Sequence, residues 1–221
     1  MTQPTQVGRT RDVGPLPRNP PSVTTERRYF ACLVLLIYVL PVTLILADVI
    51  PFRYRFVVLL AMAVVVLVVE KGRGRSWREL GFRADSRRGS LVANGVLSAV
   101  LLVGLALAYA FHAFTTPGAR ESVLFYVFYV LVSSPSQEFL FRSVVFGEME
   151  RAQIKGARLQ VPICTLVYVF PHAIYKSVST LLVVAAIGIV WSAIYYRYRH
   201  WGGVALSHAV LGATSIAVGL I

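Results

Sequence analysis

Residues 133–143 read SSPSQEFLFRS, and they interrupt a run otherwise built for lipid: VLFYVFYVLV (123–132) precedes them and VVFG (144–147) follows. An uncompensated charge at membrane depth costs several kcal/mol or more, so ionisable residues there are rare and tied to function. Ser134, Pro135 and Gln137 form a helix-start pattern: a capping serine, proline at the first helical position, and Gln three residues after the cap. The pattern predicts that the span breaks or kinks near Pro135. Irregular backbone at that depth is tolerated only where it is buried in protein or lines a wet cavity, so the stretch points to a site.

Working outward, 57% of the 221 residues are hydrophobic and only 14% are charged, against about 25% in soluble domains; mean hydropathy is +0.67. Several apolar runs approach or exceed the roughly 18–20 residues that cross a bilayer. The expected fold class is therefore all-α, a polytopic transmembrane helical bundle of about seven spans. These lie near 29–50, 54–70, 90–111, 122–147, 159–175, 178–197 and 202–220. The first 28 residues, with five Pro and five Arg, read as a disordered cytoplasmic tail, and 29–221 as the membrane domain. No signal peptide is expected, because the first apolar stretch has no cleavage site behind it.

The net charge of +12 does not imply nucleic acid, because the basic residues sit in short blocks between apolar runs. With the N-terminus inside, 17 of the 22 Lys and Arg fall on the inner side and four on the outer, leaving Arg142 within a span. The positive-inside rule then predicts a multi-pass protein of the cell membrane with a cytoplasmic N-terminus. Nineteen of the basic residues are Arg, the bias of a GC-rich bacterial genome. Cys32 and Cys164 both lie in apolar runs and read as small buried hydrophobes. Gly104/Ala108 and Gly188/Ser192 read as small-residue pairs for close helix packing.

Glu138 and Arg142 are four residues apart, which places them on one helical face with the acid N-terminal to the base. Such a pair can be purely architectural. Two histidines add chemistry: His172 in YVFPHAIY and His208 in GGVALSHAVLG. At about 1.5 Å per residue, Glu138 lies roughly 15 Å from the inner boundary, His172 about 20 Å and His208 about 9 Å. The three are compatible with one layer. His112 and His200 fall at span ends and read as solvated. Ser207 neighbours His208 in sequence but points about 100° away on a helix, so no serine–histidine pair is expected. One Glu and two His suit amide hydrolysis by activated water, with a carboxylate or imidazole taking the proton and a second imidazole facing the oxyanion. The same set also matches an open zinc site, although HExxH spacing is absent. A transporter would be expected to show a second broken helix.

The motifs resemble those of the CAAX-protease and bacteriocin-processing family, glutamic intramembrane proteases that include the Ras-converting enzymes. That family's Glu-Glu-x-x-x-Arg corresponds to QEFLFR (137–142), its Phe-x-x-x-His to YVFPH (168–172), and its His-x-x-x-Asn/Asp to HAVLG (208–212). RELGFR (78–83) and GIVWSAIYYRYRHWGGVALSHA (188–209) also resemble family segments, so the likeness covers about 76–215. Gln137, Tyr168 and Gly212 depart from the pattern.

The resemblance implies an endopeptidase acting on a membrane-anchored or membrane-adjacent peptide within the lipid bilayer, with no metal or other cofactor. Glu138 and His172 would handle the water, His208 would stabilise the oxyanion, Gln137 would orient the water, and Arg142 would fix Glu138. With Glu138 as base, Gln137→Glu would crowd two carboxylates and lower activity. The alternative is a catalytically silent relative that keeps the cavity to bind a membrane peptide or a partner's helix.

Overall fold

The computed structural model describes residues 22–111 and 121–220, and among these every regular element is helical. Six helices are long and apolar enough to cross a membrane: α1 (Val23–Leu46), α2 (Phe52–Gly72), α3 (Arg87–Ala110), α4 (Val123–Arg151), α5 (Ala157–Tyr175) and α6 (Val178–Tyr198). A seventh, α7 (Trp201–Ala217), has 17 residues. The chain is a multi-pass helical membrane protein.

Polar residues at the span ends set the helix starts. Ser22, Ser122 and Ser177 each accept a hydrogen bond from the backbone N–H three residues on, satisfying one of the donors a helix start leaves free. His200 does the same for α7, its Nδ1 accepting from Gly203 N at 3.3 Å. His200 is thus a half-buried cap, not the solvated residue expected; His112 lies outside the described residues. Of the tail expected over 1–28, Val23 to Arg28 are instead helical and Glu26 is buried. Residues 1–21 lie outside the described residues.

The irregularity expected at Pro135 is present in another form. Ser134 has helical angles (φ −59°, ψ −46°) and does not cap. Instead α4 changes winding twice, into π turns at Tyr129–Ser133 and Phe139–Val144. Proline has no N–H to donate and its ring crowds the preceding turn; the wider π turn before it relieves both. The π turn at Val34–Val39 stands in the same relation to Pro41. The turn at Phe139–Val144 has no proline, but its loosened carbonyls serve other helices. Tyr38 Oη donates to Leu140 O at 2.7 Å, and Cys164 Sγ to Phe141 O at 3.0 Å. Cys164 is buried as expected, whereas Cys32 lies on the outer face of α1.

The charged ends gather at one end of the bundle. Arg73, after α2, pairs with Glu26 of α1, with Glu70 at 3.3 Å and with Glu148 of α4 at 2.6 Å. Arg199 bonds Gln160 at 2.7 Å and Glu150 at 2.9 Å. The loop between α2 and α3 anchors there through fully buried Leu80. Gly81 has φ +88°, and a side chain on it would strike Tyr195, Ser143 and Trp201; its carbonyl accepts from Trp201 N at 2.9 Å. Trp201 Nε1 in turn donates to Pro135 O at 3.1 Å. The Leu-Gly-Phe fragment therefore sets the head of α7 against the middle of α4, and so His208 against Glu138.

Candidate active site

Glu138 is fully enclosed. Arg142 Nη1 contacts both its oxygens at 2.6 Å, and His208 Nδ1 reaches Oε1 at 2.5 Å. Glu138 is therefore an ion-paired carboxylate that only accepts, so His208 Nδ1 carries the proton and Nε2 points away. Arg142 is equally buried, and its Nε and Nη2 find no hydrogen-bond partner. Its guanidinium lies 4.3 Å from the Tyr168 ring centre and 5.3 Å from that of Trp191, cation–π contacts that supply part of what water would. Trp191 stacks on His208 at 4.9 Å and is held by its own bond to Ser207 Oγ at 2.9 Å. Ser207 thus positions Trp191, consistent with its exclusion as a nucleophile.

His172 lies in the tightened last turns of α5. Its Nδ1 meets Tyr168 O at 2.9 Å; a carbonyl only accepts, so Nδ1 again carries the proton and Nε2 keeps its lone pair. The Tyr168 ring stands between the histidines, 5.0 Å from His172 and 6.0 Å from His208. Tyr168 also packs so closely on Gly188 that any side chain there would collide with it, which bears out the expected close contact at Gly188.

Two cavities flank this layer. The larger, about 510 Å³, is walled by α3, α6 and α7, with Tyr129, Tyr168, His172, Trp191 and His208 among its lining residues. Its size suits a peptide or acyl segment. Gly104 and Ala108 line it, and nothing lies within 4 Å of a side chain built on Gly104. That pair opens space here, where close packing was expected. The smaller cavity, about 80 Å³, has Gln137 and His172 in its wall, and Gln137 Nε2 donates to Ser133 Oγ at 3.1 Å.

Of the five candidates, Glu138, Arg142 and His208 are joined directly. His172 shares one cavity with His208 and the other with Gln137. Glu138 lines neither cavity; its three bonds turn it toward His208. Among the described residues no three His, Cys, Asp or Glu side chains gather in a metal-holding arrangement. Tyr129 and Trp191 were not singled out from the sequence, because an aromatic in an apolar run carries no local sign of which face it occupies; Tyr168 was marked there only as the motif position that departs from Phe.

Comparison with curated proteins and with solved structures returns no match. Residues 119–214, however, match the family model described as type II CAAX prenyl endopeptidase, Rce1-like. That stretch contains all five candidates, and the resemblance read from the three motifs is therefore to the Rce1-like CAAX prenyl endopeptidases, a family of membrane-embedded proteases.

Proposed function

We propose that the protein is an intramembrane endopeptidase that hydrolyses a membrane-anchored or membrane-adjacent peptide with a water activated inside the bundle. The observation that carries this reading is the pair of imidazoles from α5 and α7 on one cavity wall. Both are bound through Nδ1, which leaves both Nε2 atoms for chemistry. Gln137 orients a water beside His172, and His172 Nε2 takes its proton. The resulting hydroxide adds to the scissile carbonyl. The C–N bond then breaks as the leaving amine receives the proton from His172. The tetrahedral oxyanion forms in the larger cavity beside His208, whose Nε2 in this tautomer accepts and does not donate to it.

Glu138 holds His208 in register, and Arg142 holds Glu138. This shifts Glu138 from the water-handling role implied by the resemblance to a positioning one, because both its oxygens are already engaged. The chain's orientation follows the charge distribution: the end that gathers Arg73, Arg75, Arg151 and Arg199 faces the cytoplasm, and the N-terminus with it.

A second reading is favoured by one feature. Gln137 cannot take a proton and Glu138 is sealed, which is the state a silent, peptide-binding relative would reach. The test uses purified protein in phosphatidylethanolamine–phosphatidylglycerol vesicles. The substrates are a quenched-fluorescent peptide ending in a prenylated cysteine plus three residues, and a pool of lipidated peptides analysed for new termini. Cleavage by wild type that is lost in His172→Ala and His208→Ala is expected. Equal background from all three proteins would sink the protease reading.

A further inference from the structure

Hydrolysis in this cavity needs a hydrogen-bond donor for the oxyanion, and the tautomers restrict where it comes from. Neutral His172 and neutral His208 both present Nε2 as an acceptor, since each Nδ1–H is committed to Tyr168 O or Glu138. Trp191 Nε1 is committed to Ser207. Tyr129 lies on the same cavity wall, with the Ser134 hydroxyl within hydrogen-bonding reach of its own; with Ser134 donating, the phenol hydrogen stays available. A phenol is a donor in its neutral form.

Its position is set by Gly212. Gly212 follows His208 by four residues, one helical turn along the same face of α7. A side chain built on Gly212 would overlap the Tyr129 hydroxyl and come within 2.9 Å of Cζ. The missing side chain is thus the space the phenol occupies. The Tyr129 ring sits 6.1 Å from that of His208 at a steep angle and stacks on Phe125 at 6.0 Å. Tyr129 begins the π turn before Pro135, and that turn sets the face of α4 on which it lies.

We propose that Tyr129 Oη–H is an oxyanion donor of this site, resting on the hydrolytic reading above. The carbonyl oxygen points at the Tyr129 hydroxyl and away from the His208 Nε2 lone pair while hydroxide adds from the His172 side. As the C=O π electrons move onto oxygen, the phenol hydrogen bond strengthens; the phenol keeps its proton, and no other bond at Tyr129 forms or breaks.

The test is Tyr129→Phe, which keeps the ring and its stacking and removes one hydroxyl. The substrate is the best-cleaved reporter peptide from the vesicle assay. Loss of one preorganised donor lowers kcat by about 10²–10³-fold, and KM and the thermal midpoint should hold. Gly212→Ala, which displaces the hydroxyl, should also lower kcat. A Tyr129→Phe enzyme with wild-type kcat overturns the proposal while the protease reading stands. So does a loss that appears only as raised KM with a lowered thermal midpoint. A wild-type protein no more active than His208→Ala removes the protease reading, and the donor role with it.

Discussion

Replacing Gln137 by Glu tests where the base resides. Gln137 is half-buried in the wall of the smaller cavity beside His172. Its amide is anchored by donating to Ser133 Oγ at 3.1 Å. A carboxylate at the same place keeps that anchor with the direction reversed, since a serine hydroxyl donates as readily as it accepts. Like-charge crowding by Glu138 is weak. Successive helical residues diverge by about 100°, and Glu138 is already neutralised by Arg142. The new carboxylate therefore gains what the amide lacks, the ability to take a proton from the bound water. A positioned general base contributes about 10²- to 10⁴-fold, equivalent to roughly 2.7–5.4 kcal/mol of barrier, and this is the ceiling of the gain because His172 already takes the proton. Gln137→Glu should accordingly raise the initial rate of peptide cleavage in vesicles, reversing the loss expected when Glu138 is taken as the base. An unchanged or lower rate, with unaltered thermal stability, would refute the argument that a carboxylate here assists the proton transfer, and a lower rate would return the base role to Glu138.

Two further outcomes follow from the buried charges and the cap of α7. Arg142→Met leaves the Glu138 carboxylate enclosed without its cation and should cost about 3–5 kcal/mol. Glu138→Gln in the same chain should recover most of that, as read by denaturant unfolding in detergent; a single mutant within about 1 kcal/mol of wild type, the range of an exposed ion pair, would contradict the pairing. His200 caps α7 through an unprotonated Nδ1, and partial burial followed by the charge of Arg87 lowers its pKa. The unfolded chain therefore binds this proton more readily than the folded one. Stability from the neutral ring is complete above the ordinary value of about 6.5 and declines as pH falls below it. Thermal midpoints should drop more between about pH 7.5 and 5.5 in wild type than in His200→Asn, whose amide oxygen caps without titrating; parallel curves would dismiss the cap.

The spans were legible because bilayer thickness forces apolar runs of nearly fixed length: six of the seven lie within about four residues of their helices, and the first, expected over 29–50, runs Val23–Leu46. Glu138, Arg142 and His208 were legible because charge at membrane depth is too costly to be incidental. The form of the interruption at Pro135 was not. Ser-Pro-x-Gln reads locally as a helix start, but a π turn upstream accommodates the proline with less loss of backbone bonding, and the packing of Tyr129 and Ser133 favours it. Nor was it legible that Gly104 opens onto a cavity while Gly188 closes against Tyr168. Both are glycines four residues from a small partner, and the outcome depends on whether another helix supplies a ring at that height.

The direction in which Glu138 faces was the least legible feature, and it follows from geometry beyond the i,i+4 rule. Spacing puts Arg142 over Glu138 in any α-helix, but it does not say which oxygen remains free. Between the two residues α4 enters its π turn, and Arg142 Nη1 closes on both oxygens at once. His208 then arrives from α7, its depth fixed through the tie between Trp201 and Pro135. A carboxylate so engaged is a poor acceptor for a water proton, yet it is a firm anchor for an imidazole. In the proposed hydrolysis this layer acts through groups with one free atom each: the Nε2 of His172, the Nε2 of His208 and the hydroxyl of Tyr129.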